Sequence, residues 1–95
     1  MKHLTLCVTY TAKAGMRESF VQAVFASGVL EQIRREDGCV AYQYYLCAEN
    51  EDQILLLEKW GTEEQQKAHL NQPHMEILKA IKERYIADTS LERLS

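Results

Sequence analysis

The chain has few of the residues that punctuate or cross-link a fold: one proline, four scattered glycines and three cysteines in 95 residues. An odd number of cysteines without a Cys-x-x-Cys pair fits neither a disulfide framework nor a zinc site. We therefore expect Cys7, Cys39 and Cys47 to be free, buried thiols. The glycines form no phosphate-binding loop and no dinucleotide fingerprint, and no cofactor is expected.

Long apolar runs and an excess of positive charge are also missing. No apolar run approaches the ~20 residues that span a bilayer, and Met1-Lys2-His3-Leu4 leads into a strand pattern without an apolar signal region. The formal net charge is −3, with acids and bases interspersed, so no basic stripe is available for phosphate backbones. We expect a cytoplasmic protein without a nucleic-acid or membrane partner.

With 46% hydrophobic and 26% charged residues, the composition is that of an ordinary soluble globular protein. The length predicts one domain over residues 1–95. A chain this short buries only about 60 to 65% of its unfolded surface, so a monomer would be marginally stable. Burial against a second copy is therefore expected.

The first third of the chain predicts a strand and then a helix. Apolar residues alternate with polar ones from Leu4 to Tyr10, as in a strand with one buried face. After Ala14-Gly15 the spacing changes to that of an amphipathic helix. The expected apolar stripe comprises Met16, Phe20, Val21, Val24 and Phe25. Gly28 interrupts the pattern, and the helix is expected to kink or restart there.

Two further strands are predicted to form an antiparallel hairpin. Asp37-Gly38 is a turn signal, and the strand that follows it alternates. One face of that strand carries Val40, Tyr42, Tyr44 and Leu46. After an acidic connection, residues 54–57 begin a third strand that is apolar on both faces and ends with Glu58-Lys59-Trp60.

The last third predicts two helices and a fourth strand. Thr62-Glu63-Glu64-Gln65 matches a capping box, in which the Thr hydroxyl and the Gln amide satisfy free backbone amides. A short helix is expected from Glu63 to about Asn71, because Pro73 disfavours helical geometry before it. Pro73 suits the start of a second helix, with an apolar face of Met75, Ile77, Leu78 and Ile81. Weak alternation over residues 85–93 predicts the last strand.

The order strand, helix, strand, strand, helix pair, strand predicts an α+β fold of the ferredoxin-like split βαβ type. Helices would cover one face of a four-stranded antiparallel sheet. Because residues 54–57 are apolar on both faces, the other face also needs a cover. A second subunit is the simplest candidate, which predicts a homodimer.

This order, together with Glu58-Lys59-Trp60, Ala68-His69-Leu70 and Pro73-His74, resembles the antibiotic biosynthesis monooxygenase family of small dimeric α/β-barrel proteins. The similarity runs from about residue 3 to residue 93. It implies a dimer whose two sheets face each other, with each pocket between a sheet and its helices. The family includes quinol and anthrone monooxygenases, haem-degrading oxygenases, an isomerase of a phosphorylated autoinducer and proteins with no known reaction.

Within this resemblance, Trp60 matches the family's strand-end tryptophan, Glu58 the acid before it, and His69 the helix histidine that often faces the pocket. Haem-degrading members also carry an asparagine on the first strand. This chain has Val8 at about that position and no Asn from His3 to Thr11. Haem degradation is therefore not expected.

The candidate catalytic residues are His69, Trp60 and Glu58. Imidazole titrates near neutral pH and suits a general base or a hydrogen-bond donor, although His69 could equally cap or pack its helix. Trp60 offers an aromatic wall and one N–H donor, or simply a core anchor. Glu58 shares a face with Leu56 and Trp60, so it either pairs with His69 or a basic residue or has a raised pKa.

His74, Tyr42, Tyr44 and Cys7 are the candidate lining of a ligand pocket. His74 follows His69 by five residues across a proline, which is not the i, i+4 spacing of helical zinc ligands, so no metal site is expected. Its alternative role is to stabilise the loop before the next helix. The tyrosines offer phenol donors or structural packing, and Cys7 lies on a strand whose neighbours are expected to line the pocket.

The favoured function is a cofactor-independent monooxygenase that acts on a small aromatic, quinol-like metabolite with molecular oxygen. The deprotonated substrate must then supply the electrons, so the protein abstracts a proton and stabilises an oxyanion. Two alternatives remain open. An isomerase or lyase on a small carbonyl compound needs the same acid–base groups without oxygen, and a stress-related dimer would bind a ligand without reacting.

Overall fold

The computed structural model describes residues 3–95, and Met1 and Lys2, which the sequence places ahead of the first strand, lie outside the described residues. The elements are β1 (Leu4–Ala12), α1 (Arg17–Ser27), α2 (Val29–Arg34), β2 (Cys39–Leu46), β3 (Gln53–Trp60), α3 (Glu63–Leu70), α4 (Met75–Tyr85) and β4 (Ile86–Arg93). The four strands form one sheet in the order β2-β3-β1-β4, with antiparallel neighbours throughout. The predicted α+β, ferredoxin-like arrangement is confirmed.

The two central strands show why the alternation in the sequence produces a two-faced sheet. In β1 and β3 every second residue is buried, and the register pairs Leu6 with Glu58 and Val8 with Leu56 on the same face. The helices pack on this face, where their buried residues join the strand residues in one hydrophobic core. The opposite face, which includes Leu55 and Leu57, is only half-buried in the described chain.

The helical segment after β1 breaks at Gly28, as predicted. Gly28 has φ of 77°, a left-handed conformation that favours glycine, and it separates α1 from α2. Of the predicted stripe, Phe20 and Val24 are buried, whereas Met16 and Phe25 are exposed. Their placement in the stripe is wrong, because Met16 precedes the first helical turn and Phe25 lies roughly 140° around the helix axis from Phe20.

The β2–β3 hairpin is confirmed, and its register places Tyr42 opposite Glu58 and Tyr44 opposite Leu56. Both tyrosines therefore lie on the helix-covered face. The pairing shifts between Cys39 and Ala41, and this irregularity takes Val40 out of the alternation, so that its side chain is exposed. Leu46, at the far end of the strand, is also exposed.

The capping box before α3 is half confirmed. The Thr62 hydroxyl accepts a hydrogen bond from the Gln65 backbone N–H at 3.1 Å. The Gln65 amide does not complete the box, because it donates to Asp37 Oδ2 at 3.4 Å instead. Long-range packing against the α2–β2 turn has thus replaced the local contact that the sequence predicts.

The end of α3 near Asn71 and the fourth strand are confirmed. In α4, Leu78 is buried and Met75 and Ile81 pack against the core, but Ile77 is exposed, contrary to its predicted place on the apolar face. Within residues 3–95, no helix combines the length and the apolar character that crossing a membrane requires.

Candidate active site

The site is built around a buried histidine in the last turn of α3. A short turn joins Trp60, the last residue of β3, to the Thr62 cap that begins α3. The helix then carries His69 back over the sheet, where its side chain is only 1% exposed. Its imidazole packs against the Trp60 indole with ring centroids 4.6 Å apart and against the Tyr42 ring at 5.6 Å.

Glu36 lies at the centre of a hydrogen-bonded group with two histidines. His69 Nδ1 lies 3.1 Å from Glu36 Oε1 and 3.0 Å from Oε2. His74 Nε2 lies 2.6 Å from the same Oε2. The Glu36 side chain is 7% exposed and that of His74 is 12% exposed. One nearly buried carboxylate therefore binds both imidazoles.

Two local features bring Glu36 to this position. Its turn between α2 and β2 is tied to the end of β3 by a 2.8 Å hydrogen bond from the Gly61 N–H to the Gly38 carbonyl. The turn itself is allowed by Gly38, whose φ is 85°. Glu36 is not among the site residues predicted from the sequence. The only local signal was an acid immediately before the Asp37-Gly38 turn.

Glu58 lies on the buried side of the sheet, as expected, but it is not the partner of His69. The Trp60 indole Nε1–H donates to Glu58 Oε1 at 3.1 Å. Burial raises the pKa of Glu58, and the Trp60 hydrogen bond and the nearby His69 and Lys82 oppose that rise. Of the two expectations for Glu58, the raised pKa is confirmed and the pairing with His69 is wrong, because Glu36 occupies that position.

The Trp60 indole cannot serve as a free donor in this arrangement. Its N–H is already used by Glu58, and the side chain is fully buried. Its observed roles are those of an aromatic wall for His69 and an anchor of the core. The expectation that the Trp60 N–H is available to fix a ligand oxygen is therefore not met by this structure.

Tyr42 and Tyr44 extend the aromatic group around His69. Their rings meet edge-on with centroids 6.2 Å apart. Burial raises the pKa of both phenols, so both hydroxyls stay protonated at neutral pH. The Tyr44 hydroxyl is buried and makes no hydrogen bond of good geometry among residues 3–95. The Tyr42 phenol lies close enough to it to oppose the rise in its pKa by hydrogen bonding.

Cys7 is not brought together with these residues. It pairs with Leu57 in the sheet and points away from the helix-covered face, because its neighbours Leu6 and Val8 are the buried ones. Successive side chains of a strand point to opposite faces. The expectation that Cys7 lines the same pocket is wrong for the single chain. Cys7, Cys39 and Cys47 are free thiols, but each is only partly buried.

A cleft of about 460 Å³ opens beside the two histidines. Its lining is Gln32, Arg35, Glu36, Asp37, Gln65, Ala68, His69, Gln72 and His74. Trp60, Glu58, Tyr42 and Tyr44 do not line it. The cleft is therefore polar, with the aromatic side chains packed on the inner side of His69.

Across residues 3–95, no three His, Cys, Asp or Glu side chains are arranged to hold a metal ion. The carboxylate that could have joined two histidines as a ligand is instead hydrogen-bonded to both. The group is suited to holding imidazoles in defined orientations and to moving protons.

Solved structures with the same fold cover nearly the whole chain. PA3566 from Pseudomonas aeruginosa is 22% identical, with a TM-score of 0.86 over 99% of this chain and 93% of that one. A Nitrosomonas europaea protein named "putative antibiotic biosynthesis monooxygenase" is 19% identical, with a TM-score of 0.88 over 98% and 88%. A conserved protein from Bacteroides thetaiotaomicron is 25% identical, with a TM-score of 0.80 over 97% and 95%. No curated protein sequence matched the chain.

The family model for antibiotic biosynthesis monooxygenase matches residues 4–80. This stretch extends from β1 into α4 and contains Glu36, Glu58, Trp60, His69 and His74. The resemblance noted in the sequence is thereby confirmed over most of the chain, and the chain belongs to the antibiotic biosynthesis monooxygenase family.

Proposed function

We propose that the protein is a cofactor-independent monooxygenase that oxidises a small aromatic, quinol-like metabolite with molecular oxygen. The observation that carries the proposal is the buried imidazole of His69, hydrogen-bonded to Glu36 on one side and packed on Trp60 on another, at the edge of an open cleft. A buried base with one ring nitrogen already bonded suits proton abstraction from a weakly acidic substrate.

In this proposal His69 is the general base. Its Nδ1 is bonded to Glu36, whereas its Nε2 forms no hydrogen bond within the described part of the chain. Nε2 takes a proton from the substrate, and the resulting anion passes electrons to oxygen. The substrate loses two hydrogens and gains one oxygen atom, and the second oxygen atom leaves as water. No external reductant is required.

Developing negative charge on the substrate oxygen needs a donor. Trp60 is already bonded to Glu58 and does not line the cleft, so we assign this role to two donors that do, the Gln32 amide and the Arg35 guanidinium. Glu58 does not line the cleft and acts on His69 electrostatically from the inner side. Tyr42 and Trp60 keep His69 in place by packing against it.

The polar lining of the cleft narrows the substrate class. Three glutamine side chains, together with His69 and His74, border the cleft. Amide and imidazole groups suit a ring that carries hydroxyl or carbonyl oxygens better than a plain hydrocarbon. This agrees with a quinol or anthrone-like compound. The Bacteroides thetaiotaomicron relative, which is described as a "possible oxidoreductase", fits the same class of reaction.

We propose that the functional form is a homodimer. The face of the sheet that carries Leu55 and Leu57 is half-buried in the single chain, and the helices pack on the other face. Covering such a face with a second copy removes apolar surface from water at both copies. The dimer would add burial to a chain whose size leaves it only marginally stable alone.

Oxygen uptake with a panel of hydroquinones and anthrones tests the proposed reaction. We expect one oxygen molecule consumed per substrate, with one atom of ¹⁸O₂ in the product, and a fall of about 10²- to 10⁴-fold in kcat for His69→Ala. His3→Ala is the matched control, since His3 is exposed and lies outside the site. No turnover by the wild type, or equal turnover by His69→Ala, would exclude the assignment.

One observation favours a second candidate, an isomerase or lyase acting on a small carbonyl compound. A buried acid with a raised pKa, Glu58, acts electrostatically on the same imidazole that Glu36 holds, and an acid with a base is what enolisation requires. Turnover of a hydroxy-ketone phosphate without oxygen would support this reaction. Ligand-induced thermal stabilisation without any product would instead support a binding protein.

A further inference from the structure

The contacts of Glu36 define which nitrogen of His69 carries a proton. Both carboxylate oxygens lie within hydrogen-bond distance of His69 Nδ1, at 3.1 and 3.0 Å. An ionised carboxylate only accepts hydrogen bonds. A neutral His69 beside it must therefore carry its proton on Nδ1, and its Nε2 lone pair is then left to accept another proton.

We infer that Glu36 is a positioning residue that holds His69 in the Nδ1–H form, and that His74 keeps the Glu36 carboxylate in place. This inference deepens the proposed function, because it names the atom of His69 that accepts the substrate proton. Glu36 does not contact the substrate and acts through its hydrogen bond to His69. That bond sets the position of the His69 proton whatever reaction the protein catalyses.

His74 makes the shortest contact in the group. Its Nε2 lies 2.6 Å from Glu36 Oε2, which is short even for a charge-assisted hydrogen bond. His74 is the N-cap residue of α4 and directly precedes its first residue. Its hydrogen bond to Oε2 keeps the carboxylate from turning away from His69.

The surroundings of the group contain other charges. Arg35 and Asp37, the neighbours of Glu36 in sequence, line the same cleft. On the inner side, Glu58 interacts electrostatically with His69, and the Lys82 charge acts on Glu58 in turn. None of these four side chains forms a hydrogen bond with either histidine within residues 3–95. Glu36 alone is bonded to both.

Nuclear magnetic resonance of the ¹⁵N-labelled imidazoles tests the inference without any substrate. In the wild type at a pH where His69 is neutral, we expect a protonated Nδ1 and an unprotonated Nε2. Glu36→Gln should populate the Nε2–H form, because its amide can donate to Nδ1. A wild-type His69 protonated on Nε2, or a tautomer that stays wholly Nδ1–H in Glu36→Gln, would overturn the inference.

Kinetics give the second test. We expect Glu36→Gln to lower kcat by about 10²- to 10⁴-fold with a small change in KM, since the base nitrogen is lost and the cleft is kept. His74→Gln should lower kcat by less than about tenfold, because the Glu36–His69 bond remains. Glu31→Gln is the matched control, an exposed acid on the helix that leads to Glu36.

These measurements distinguish a failure of the positioning role of Glu36 from a failure of the proposed reaction. Full activity of Glu36→Gln in an active wild-type background would contradict the positioning role. A wild type that turns over no member of the substrate panel would contradict the proposed function, while the tautomer measurement would still decide the role of Glu36.

Discussion

The imidazole of His69 packs on the indole of Trp60 with ring centroids 4.6 Å apart and planes inclined by 36°. Both side chains are buried, and each is hydrogen-bonded to a different carboxylate, His69 to Glu36 and Trp60 to Glu58. The aromatic contact therefore joins the end of β3 to the end of α3, and Glu36 joins α3 to the turn between α2 and β2. Substitutions at these residues measure what each contact contributes.

Trp60→Phe should keep an aromatic ring beside His69 and remove the donor to Glu58. We expect the free energy of unfolding to fall by about 2 kcal/mol or more, from lost volume and from a buried carboxyl without its partner. Urea unfolding measures the change. In a double-mutant cycle with Glu58→Ala, which removes the acceptor of the Trp60 N–H, we expect a coupling of about 0.5–3 kcal/mol, and simple additivity would contradict the Trp60–Glu58 bond.

Glu58→Gln should change how stability depends on pH. Burial raises the pKa of Glu58 above its ordinary value of 4.5, so the folded protein binds a proton that the unfolded chain has already released. The resulting stability is complete below the unfolded pKa and is lost as the pH rises through the folded pKa.

The Gln side chain stays neutral and can still accept the Trp60 N–H. Glu58→Gln should therefore raise the Tm at neutral pH and have little effect near pH ~4. Thermal melts over this range measure the difference. Glu49→Gln, an exposed loop acid, serves as the control. A Glu58→Gln protein that is less stable than the wild type at neutral pH would be inconsistent with the raised pKa.

Gly38→Ala should be more destabilising than Gly15→Ala. Both glycines have positive φ, 85° and 75°, so each substitution costs about 1–2 kcal/mol in backbone conformation. A Cβ at Gly38 would also overlap the side chain of Gln65, including its Cβ, whereas a Cβ at Gly15 meets nothing. We expect an additional cost of about 1–3 kcal/mol at Gly38. Equal unfolding free energies would show that Gln65 moves away freely.

Thr62→Ala should weaken the start of α3, the helix that carries His69. The Thr62 hydroxyl satisfies the Gln65 backbone N–H at 3.1 Å, and losing such a cap costs about 1 kcal/mol. Thr62→Ser keeps the hydroxyl, so its free energy of unfolding should stay within a few tenths of a kcal/mol of the wild-type value. Denaturant titration compares the three proteins, and equal losses for Ala and Ser would rule out the cap as the cause.

Leu57→Asp should disrupt the proposed dimer. Leu57 lies on the half-buried face of the sheet, where a charge would have to be desolvated against the second copy. Light scattering should give twice the 11.0 kDa of one chain for the wild type and about one chain for the variant. Leu70→Asp, on an exposed site of α3, is the control. A monomeric wild type would refute the dimer.

Much of the fold was predictable because it is encoded locally. The alternation in β1 and β3, the break at Gly28, the cap at Thr62 and the stop before Pro73 each depend on neighbours a few residues apart. The wrong predictions concern residues at the edges of the predicted apolar helix faces. Phe25 lies well around the axis of α1 from Phe20, and the burial of Ile77 in α4 depends on which helix or strand lies beside it.

The candidate site was predicted in part. Tyr42 and Tyr44 lie on the face that carries Glu58, as the alternation indicates. Cys7 lies on the opposite face, a position that the same alternation implies once Leu6 and Val8 are known to be buried. Glu36 was missed, because its partners His69 and His74 are 33 and 38 residues away and no spacing rule connects them.

The sequence by itself determined the elements and their order, because periods of two and of 3.6 residues and the chemistry of caps and turns act within a few residues. Its short motifs carried the resemblance to the family. Only the tertiary structure decided which acid binds which ring. Glu58 was available to His69 by sequence, but the fold gave it the Trp60 N–H and placed Glu36 between two histidines. A buried carboxylate accepts hydrogen bonds from those donors that packing places within about 3 Å of it. Packing depends on the whole chain, so local sequence does not determine which donors these are.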